Sequence, residues 1–154
     1  MRWYGWQKWK KYPKLYALHK AIMDYFIMKN PNYAKRVAFD VPVGKPRPPF
    51  VSSDPASLAG WQYATSHRID ALFDLGDEFE IVEIKPESEL SAVGQVLMYY
   101  DLFADTYRDY PSVYARLITL NAHPEIERLC NNYGIRLTNY KFEEIAPDWA
   151  NIIE

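Results

Sequence analysis

The sequence has very little cysteine, and this excludes two common ways of holding a small protein together. Cys130 is the one cysteine among 154 residues, so no disulfide can form within the chain. The cysteine and the three histidines also lack the spacing of a zinc site. Because disulfides belong to oxidising compartments, we expect a reducing, intracellular and cytoplasmic setting.

Long apolar runs are absent as well. No stretch approaches the roughly 18 apolar residues that suggest a membrane span. The opening segment, MRWYGWQKWKKYPK, carries charges and rings where a signal peptide has an apolar core. There is also no dinucleotide fingerprint, no glycine loop for phosphate and no Ser-His-Asp arrangement. We therefore expect a soluble protein with no membrane partner and none of these three chemistries.

What the chain does have is an ordinary globular composition with many rings. It is 49% hydrophobic, 25% charged and 16% aromatic, which predicts one folded domain over residues 1–154. Six basic and no acidic residues fall within the first 20 positions. Residues 1–13 thus form a basic aromatic arm. Its rings could stack on exposed bases while Lys8, Lys10 and Lys11 bind phosphates. In the alternative, the rings cap the hydrophobic core and the lysines face water.

The order of predicted elements is α-β-β-β-α-β-α-β, which indicates an α/β protein with a mixed sheet. Residues 44–60 hold four prolines and no periodicity, so we expect a loop or flap there, with Lys45 and Arg47 available to a polyanion. The other segments are predicted as a helix over 14–29, a strand over 36–43, strands over 68–75 and 78–85, a helix from about 88 to 108, a strand over 113–120, a helix over 124–132 and a strand over 135–142.

The two middle strands form the most informative feature. Gly76 and Asp77 suit a two-residue hairpin loop, which places Asp70 opposite Glu83. Side chains alternate along a strand, so Lys85 shares the face of Glu83. Two carboxylates directly opposite each other repel, and a divalent cation would offset that repulsion. A slip of one residue would send Asp70 to the other face, and a Glu-x-Lys triplet alone is common on solvated strands.

The next helix contains GQVLMYY, in which Gln95 is the one strongly polar side chain between Val93 and Tyr100. Gln95 and Tyr99 are four residues apart and share a helix face. They are placed to reach a phosphate, a ligand of the metal, or each other. A buried amide packed against a tyrosine hydroxyl is the structural alternative.

Taken together, RID, EIVEIK and GQVLMYY resemble the Asp, Glu-x-Lys and Gln-x-x-x-Tyr motifs of the PD-(D/E)xK nuclease superfamily, in its RecB-like branch of exonucleases and small, often virus-encoded DNA nucleases. The motifs cover residues 68–100, and the order of elements matches over about 15–142. The resemblance implies a restriction-endonuclease-like core, dependence on Mg²⁺ or Mn²⁺, and cleavage of DNA. Ile69 stands where many members have proline.

The resemblance also implies roles for individual residues. Asp70 and Glu83 would bind the metal with the main-chain carbonyl of Ile84, and Lys85 would be the catalytic lysine. Gln95 and Tyr99 would contact DNA or support the centre. His19 matches the histidine that the branch often adds on its first helix, and Asp24 is a weaker candidate. His67, His123 and Cys130 have no partner pattern and are expected to be structural.

Three functions follow as hypotheses. The first is a metal-dependent deoxyribonuclease, with linear double-stranded DNA that has free ends as the favoured substrate and a homodimer as a suitable assembly. The second is a catalytically silent module that binds nucleic acid with the same fold. The third is an interaction protein whose basic aromatic arm docks on another protein.

Overall fold

The computed structural model describes residues 1–48 and 54–145, which form one six-stranded sheet with helices on both faces. The strands are β1 (Trp3–Gly5), β2 (Arg36–Val43), β3 (His67–Asp74), β4 (Phe79–Lys85), β5 (Val113–Leu120) and β6 (Arg136–Tyr140). The helices are α1 (Ala17–Lys29), α2 (Pro55–Thr65), α3 (Leu90–Thr106) and α4 (Pro124–Asn132). None of the helices in the described part of the chain is both long and apolar enough to cross a membrane.

The sheet is mixed, and its strands lie side by side in the order of the sequence. Strands β1 to β4 pair with one another in antiparallel fashion. Strands β4, β5 and β6 run parallel, because α3 and α4 provide the crossover connections that parallel pairing needs. The predicted fold class, a mixed α/β sheet flanked by helices, is confirmed.

Alternation along the strands divides the core into two layers. Phe73, Val82 and Ile118 face α1 on one side of the sheet. Leu72, Ile81 and Leu117, one position away in each strand, face α3 and α4 on the other. Helix α1 is buried over seven consecutive residues, so a single face of the sheet cannot account for its burial.

The basic aromatic arm supplies the remaining cover for α1. Trp3–Gly5 pair with Arg36–Ala38 as an edge strand. Trp6 packs edge-on against Phe73, with ring centroids 4.8 Å apart. Tyr12 is 2% exposed and donates to Asp24 Oδ1 at 2.5 Å. The rings therefore cap the core, as the second alternative predicted, while the three lysines at 8, 10 and 11 stay exposed.

The proline-rich segment is also not a loop throughout. Helix α2 begins at Pro55, with the Asp54 carboxylate accepting from the Ser57 N–H at 2.9 Å as an N-cap. Proline at the first helical position is favourable because its missing N–H would have no partner in the helix. The structure describes every residue of α2, and none of them is buried. Residues 49–53 of the predicted flap lie outside the described residues.

Candidate active site

The site forms where the β3–β4 hairpin opens. A tight turn at Gly76, whose φ is +100°, lets the Leu75 N–H donate to the Glu78 carbonyl at 2.9 Å. Pairing then runs from Asp74 with Phe79 to Ala71 with Val82. This is the predicted register, and it sets Asp70 against Glu83 one step further along.

At that position, carboxylate side chains take the place of main-chain carbonyls in the hydrogen bonds between β3 and β4. The Ile84 N–H donates to Asp70 Oδ2 at 2.8 Å, and the Asp70 N–H donates to Glu83 Oε1 at 3.2 Å. Each carboxylate is therefore held by the main chain of the opposite strand through one oxygen. No hydrogen bond within the described part of the chain engages the other oxygens, Asp70 Oδ1 and Glu83 Oε2.

Lys85 is the nearest cation to this pair. Its Nζ lies 3.9 Å from Glu83 Oε2, at the outer limit of an ion pair and beyond hydrogen-bonding distance. The lysine side chain is 30% exposed, whereas that of Glu83 is 2% exposed. The ammonium thus stands at the solvent side of the carboxylates.

The electrostatics of the pair are unfavourable for two negative charges. Burial, followed by the charge of Asp70, raises the pKa of Glu83 well above its usual value, although Lys85 opposes the shift. Burial also raises the pKa of Asp70, against the lowering effects of the Ile84 N–H and of His19 and Lys85. Without a further positive charge, the site therefore disfavours the ionised form of both carboxyl groups.

These residues fit a hard divalent cation. Each of the two anchored carboxylates keeps one oxygen without a hydrogen bond in the described part of the chain, and oxygen atoms are the ligands that Mg²⁺ and Mn²⁺ prefer. A cation there would supply the positive charge that the pair of carboxylates lacks. Within residues 1–48 and 54–145 no group of three or more His, Cys, Asp or Glu side chains could hold a metal. The donors would thus be two carboxylates, main chain and water.

A cavity of about 430 Å³, which we call the site cavity, brings further predicted residues to Lys85. His19 from α1 and Gln95 from α3 line it together with Lys85. Gln95 Nε2 donates to the Tyr99 hydroxyl at 2.9 Å, which is one of the arrangements expected from their spacing. Burial raises the pKa of Tyr99, and the charges of Glu83 and Asp70 add to that shift. Tyr99 therefore stays a neutral hydroxyl near the carboxylates.

His19 lies close enough to Asp70 and Lys85 for their charges to affect the pKa of its imidazole. Its Nδ1 is buried without a hydrogen-bond partner in the described structure. Burial lowers the pKa of the imidazole, and Lys85 lowers it further while Asp70 opposes. His19 is therefore a neutral imidazole at the wall of the site cavity.

Other residues predicted for the site lie away from the carboxylates and the site cavity. Asp24 is occupied by Tyr12 and by Lys20, whose Nζ lies 2.5 Å from Oδ2. Lys45 lines a separate cavity with Leu102 and Thr106, and Thr106 lies roughly 16 Å along α3 from Gln95 at 1.5 Å per residue. The backbone of Arg47 is hydrogen-bonded to α2. Lys8, Lys10 and Lys11 sit on the arm, outside the residues that line the site cavity.

One residue near the site was not predicted from the sequence. Asp40 lies opposite Asp70 in the β2–β3 register, between two regular pairs, yet the two do not pair. Its φ is +53°, a strained value for a residue within a strand. Its carboxylate accepts from Arg68 Nε at 2.7 Å and from the Tyr63 hydroxyl at 3.3 Å. The pairing of β2 with β3 spans a long connection, so no local signal could place Asp40 beside Asp70.

Two histidines without a predicted role have identifiable surroundings. His123 is the N-cap of α4, where Nδ1 accepts from the Glu125 N–H at 3.3 Å. His67 is exposed, and its ring centroid lies 6.0 Å from that of Tyr99. Cys130, on α4, is buried in the core, as expected.

Comparison with known proteins relates this chain to others by fold. No protein-family model matches it, and none of the curated proteins does. Among solved structures, the protein of unknown function AF1548 is similar over 88% of this chain and 67% of its own, at 12% identity and a TM-score of 0.50. At that identity the similarity concerns the fold, a mixed sheet flanked by helices.

Two further solved structures are similar to this chain at lower TM-scores. A repair endonuclease from Pyrococcus abyssi is similar over 86% of this chain, at 17% identity and a TM-score of 0.48. A complex of EndoMS with double-stranded DNA is similar over 86% of this chain, at 18% identity and a TM-score of 0.44. The chain spans 49% and 48% of the lengths of these two proteins.

Proposed function

We propose that this protein is a metal-dependent deoxyribonuclease that hydrolyses phosphodiester bonds, most readily in linear double-stranded DNA. The observation that supports the proposal best is the reciprocal anchoring of Asp70 and Glu83 by the main chain of the facing strand. That arrangement keeps two carboxylates together at the cost of their repulsion, with Lys85 beside them. A purely structural hairpin has no need of such a pair.

The metal would be Mg²⁺ or Mn²⁺, held by Asp70, Glu83 and the main-chain carbonyl of Ile84. When bound, it would lower the pKa of a water and neutralise charge on the scissile phosphate. Because each carboxylate has one oxygen fixed by an N–H, the remaining oxygens are oriented before the cation arrives. Such preorganisation avoids a cost of reorganisation during the reaction.

Lys85 would act on the reacting phosphate. Its ammonium sits at the open side of the carboxylates, where it would stabilise negative charge that develops on the phosphate oxygens. His19 and Gln95, on the walls of the site cavity, would contact the substrate backbone, and Tyr99 would hold the amide of Gln95 in place. The preference for DNA rests on the motif resemblance, and the exposed lysines of the arm offer contacts for phosphates away from the site.

The experiment is incubation of the wild type and Glu83→Ala with linear and closed-circular DNA, each with Mg²⁺ and with a chelator. We expect the wild type alone to degrade linear DNA, and only with Mg²⁺, while the circle is spared. If neither protein cleaves any substrate, the catalytic proposal is wrong. A gel shift that both proteins retain would then favour the silent nucleic-acid-binding module.

A further inference from the structure

A second cavity, of about 410 Å³, adjoins the site cavity; we call it the adjoining cavity. The two share Pro86 and Glu87, the residues that follow β4. Leu18 lines the adjoining cavity and His19 lines the site cavity, so consecutive residues of α1 separate them. Both therefore open beside the carboxyl end of a parallel strand, which is where ligands bind in open α/β sheets.

The walls of the adjoining cavity combine apolar surface with unused hydrogen-bonding groups. Leu18 and Phe142 supply the apolar part, and the Phe142 side chain is 39% exposed. Asn121 Oδ1 accepts from the Phe142 N–H at 3.3 Å. Within the described part of the chain, Asn121 Nδ2 and the Ser88 hydroxyl have no hydrogen-bond partner, and only Nδ1 of the His123 ring is engaged.

This combination suits a neutral, flat ring with polar edges. Such rings bind by stacking on aromatic or apolar side chains while their edges meet amide and hydroxyl groups. Glu87 lines both cavities, whereas Lys85, which would offset that negative charge toward a phosphate, lines the site cavity but not the adjoining one. The adjoining cavity therefore suits an uncharged base better than a phosphate. A phosphate next to Lys85 would lie in the site cavity, so its attached base could enter the adjoining cavity.

We propose that the adjoining cavity binds one unpaired nucleobase of the strand being cut, next to the phosphate at Lys85. This inference rests on the proposed function. A base within a duplex is stacked and paired and would have to leave the helix to enter. The cavity would therefore direct cleavage to frayed ends and single-stranded segments, which makes a free end the point of attack on linear DNA.

The test measures binding without hydrolysis. All variants carry Glu83→Gln, and the probe is a labelled single-stranded oligonucleotide compared with the same sequence closed into a blunt hairpin duplex. Phe142→Ala removes one wall of the adjoining cavity, and Phe142→Tyr keeps a ring there. Tyr133→Ala is the matched control, because Tyr133 is 61% exposed and lines a different cavity. Thermal melting verifies that each variant is folded.

We expect Phe142→Ala to weaken binding of the single strand about tenfold, the size of one lost base-stacking contact, and binding of the closed duplex less than about twofold on the same basis. Phe142→Tyr and Tyr133→Ala should match the parent. Equal binding by Phe142→Ala and the parent, or equal losses on both probes, would overturn the proposal. Either result leaves the nuclease proposal standing if the Glu83-intact protein cleaves DNA. A selective loss supports the base site even if that protein cleaves nothing.

Discussion

Glu83 shows how one residue links burial to chemistry. Its side chain is 2% exposed and faces a second carboxylate across the hairpin. Lys85, at 3.9 Å, offsets only part of the repulsion, and burial leaves the pKa of Glu83 raised. The residue therefore opposes folding when it is ionised and alone, and a cation would reverse that effect.

A first prediction concerns Glu83→Gln, which keeps an oxygen for the Asp70 N–H and removes the charge. A raised folded-state pKa means that Glu83 favours the folded protein at pH values below about 4.3, the pKa of unfolded glutamate. That contribution is lost as the pH rises through the folded-state pKa. In chelator at pH 8 the variant should melt several degrees higher than the wild type, since about 1 kcal/mol shifts Tm by about 2–4 °C at this size.

The same melting series contains its own check. The advantage of Glu83→Gln should shrink as the pH falls toward 4. Added Mg²⁺ should raise the Tm of the wild type more than that of the variant. A cation stabilises the folded state by binding to it, and the variant has lost one of the two carboxylates proposed to bind the cation. A wild type that is the more stable protein in chelator at pH 8 would contradict the raised pKa.

A second prediction concerns Lys85→Ala. Lys85 stands at the solvent side of the carboxylates, so its loss should remove stabilisation of developing charge while the binding of DNA continues. We expect a cleavage rate lower by about 10²–10³-fold, as for loss of one charge-stabilising donor elsewhere. Single-turnover rates at saturating enzyme measure this effect, and Lys8→Ala is the control. A rate within about threefold of the wild type, far less than that donor effect, would mean that Lys85 has no catalytic role.

Among the elements, local signals were sufficient in some places and insufficient in others. The hairpin register was predictable because Gly76 and Asp77 fix it within a two-residue loop. Strand β1 was missed because three residues give no pattern, and its partner β2 lies some thirty residues further along the sequence. Helix α2 was missed because the prolines before it and at its start suggested a loop, although Asp54 followed by Pro55 is an N-cap signal.

A third prediction tests the role of the arm as an element of the core. Trp6 contacts Phe73 and donates from Nε1 to the Asn30 carbonyl at 2.8 Å. Trp6→Ala should therefore cost about 3 kcal/mol of stability, at the lower end for a core Trp because the residue is partly exposed. Chemical denaturation measures the loss. Tyr133→Ala, on an exposed ring, should change stability by less than about 0.5 kcal/mol. A similar small effect for Trp6→Ala would mean that the arm does not contribute to the core.

For the whole molecule, the distribution of charge matters more than its sum of −2. The basic residues of the arm lie on a segment whose rings pack in the core. The backbone that carries the lysines at 8, 10 and 11 is therefore held in place. The site itself is acidic. Long-range attraction of DNA would thus come from the arm, and the chemistry from the hairpin.

A fourth prediction follows for the triple variant Lys8→Ala, Lys10→Ala and Lys11→Ala. It should bind DNA more weakly whatever the sequence, and the slope of log affinity against log salt should fall by up to about 2.7 for three lost phosphate contacts. Stability should be unchanged because the three side chains are exposed. An unchanged salt slope would show that DNA does not follow the arm.

The most direct measurement of the central claim is the single-turnover cleavage of a labelled linear duplex by wild type and Glu83→Gln, in Mg²⁺ and in chelator, at enzyme concentrations where both bind the duplex fully. The account predicts cleavage by the wild type in Mg²⁺ alone and a rate at least about 10³-fold lower for Glu83→Gln, the upper range for loss of one stabilising group. Cleavage by Glu83→Gln at the wild-type rate, or wild-type cleavage that persists in chelator, would contradict a metal-dependent site at Asp70 and Glu83.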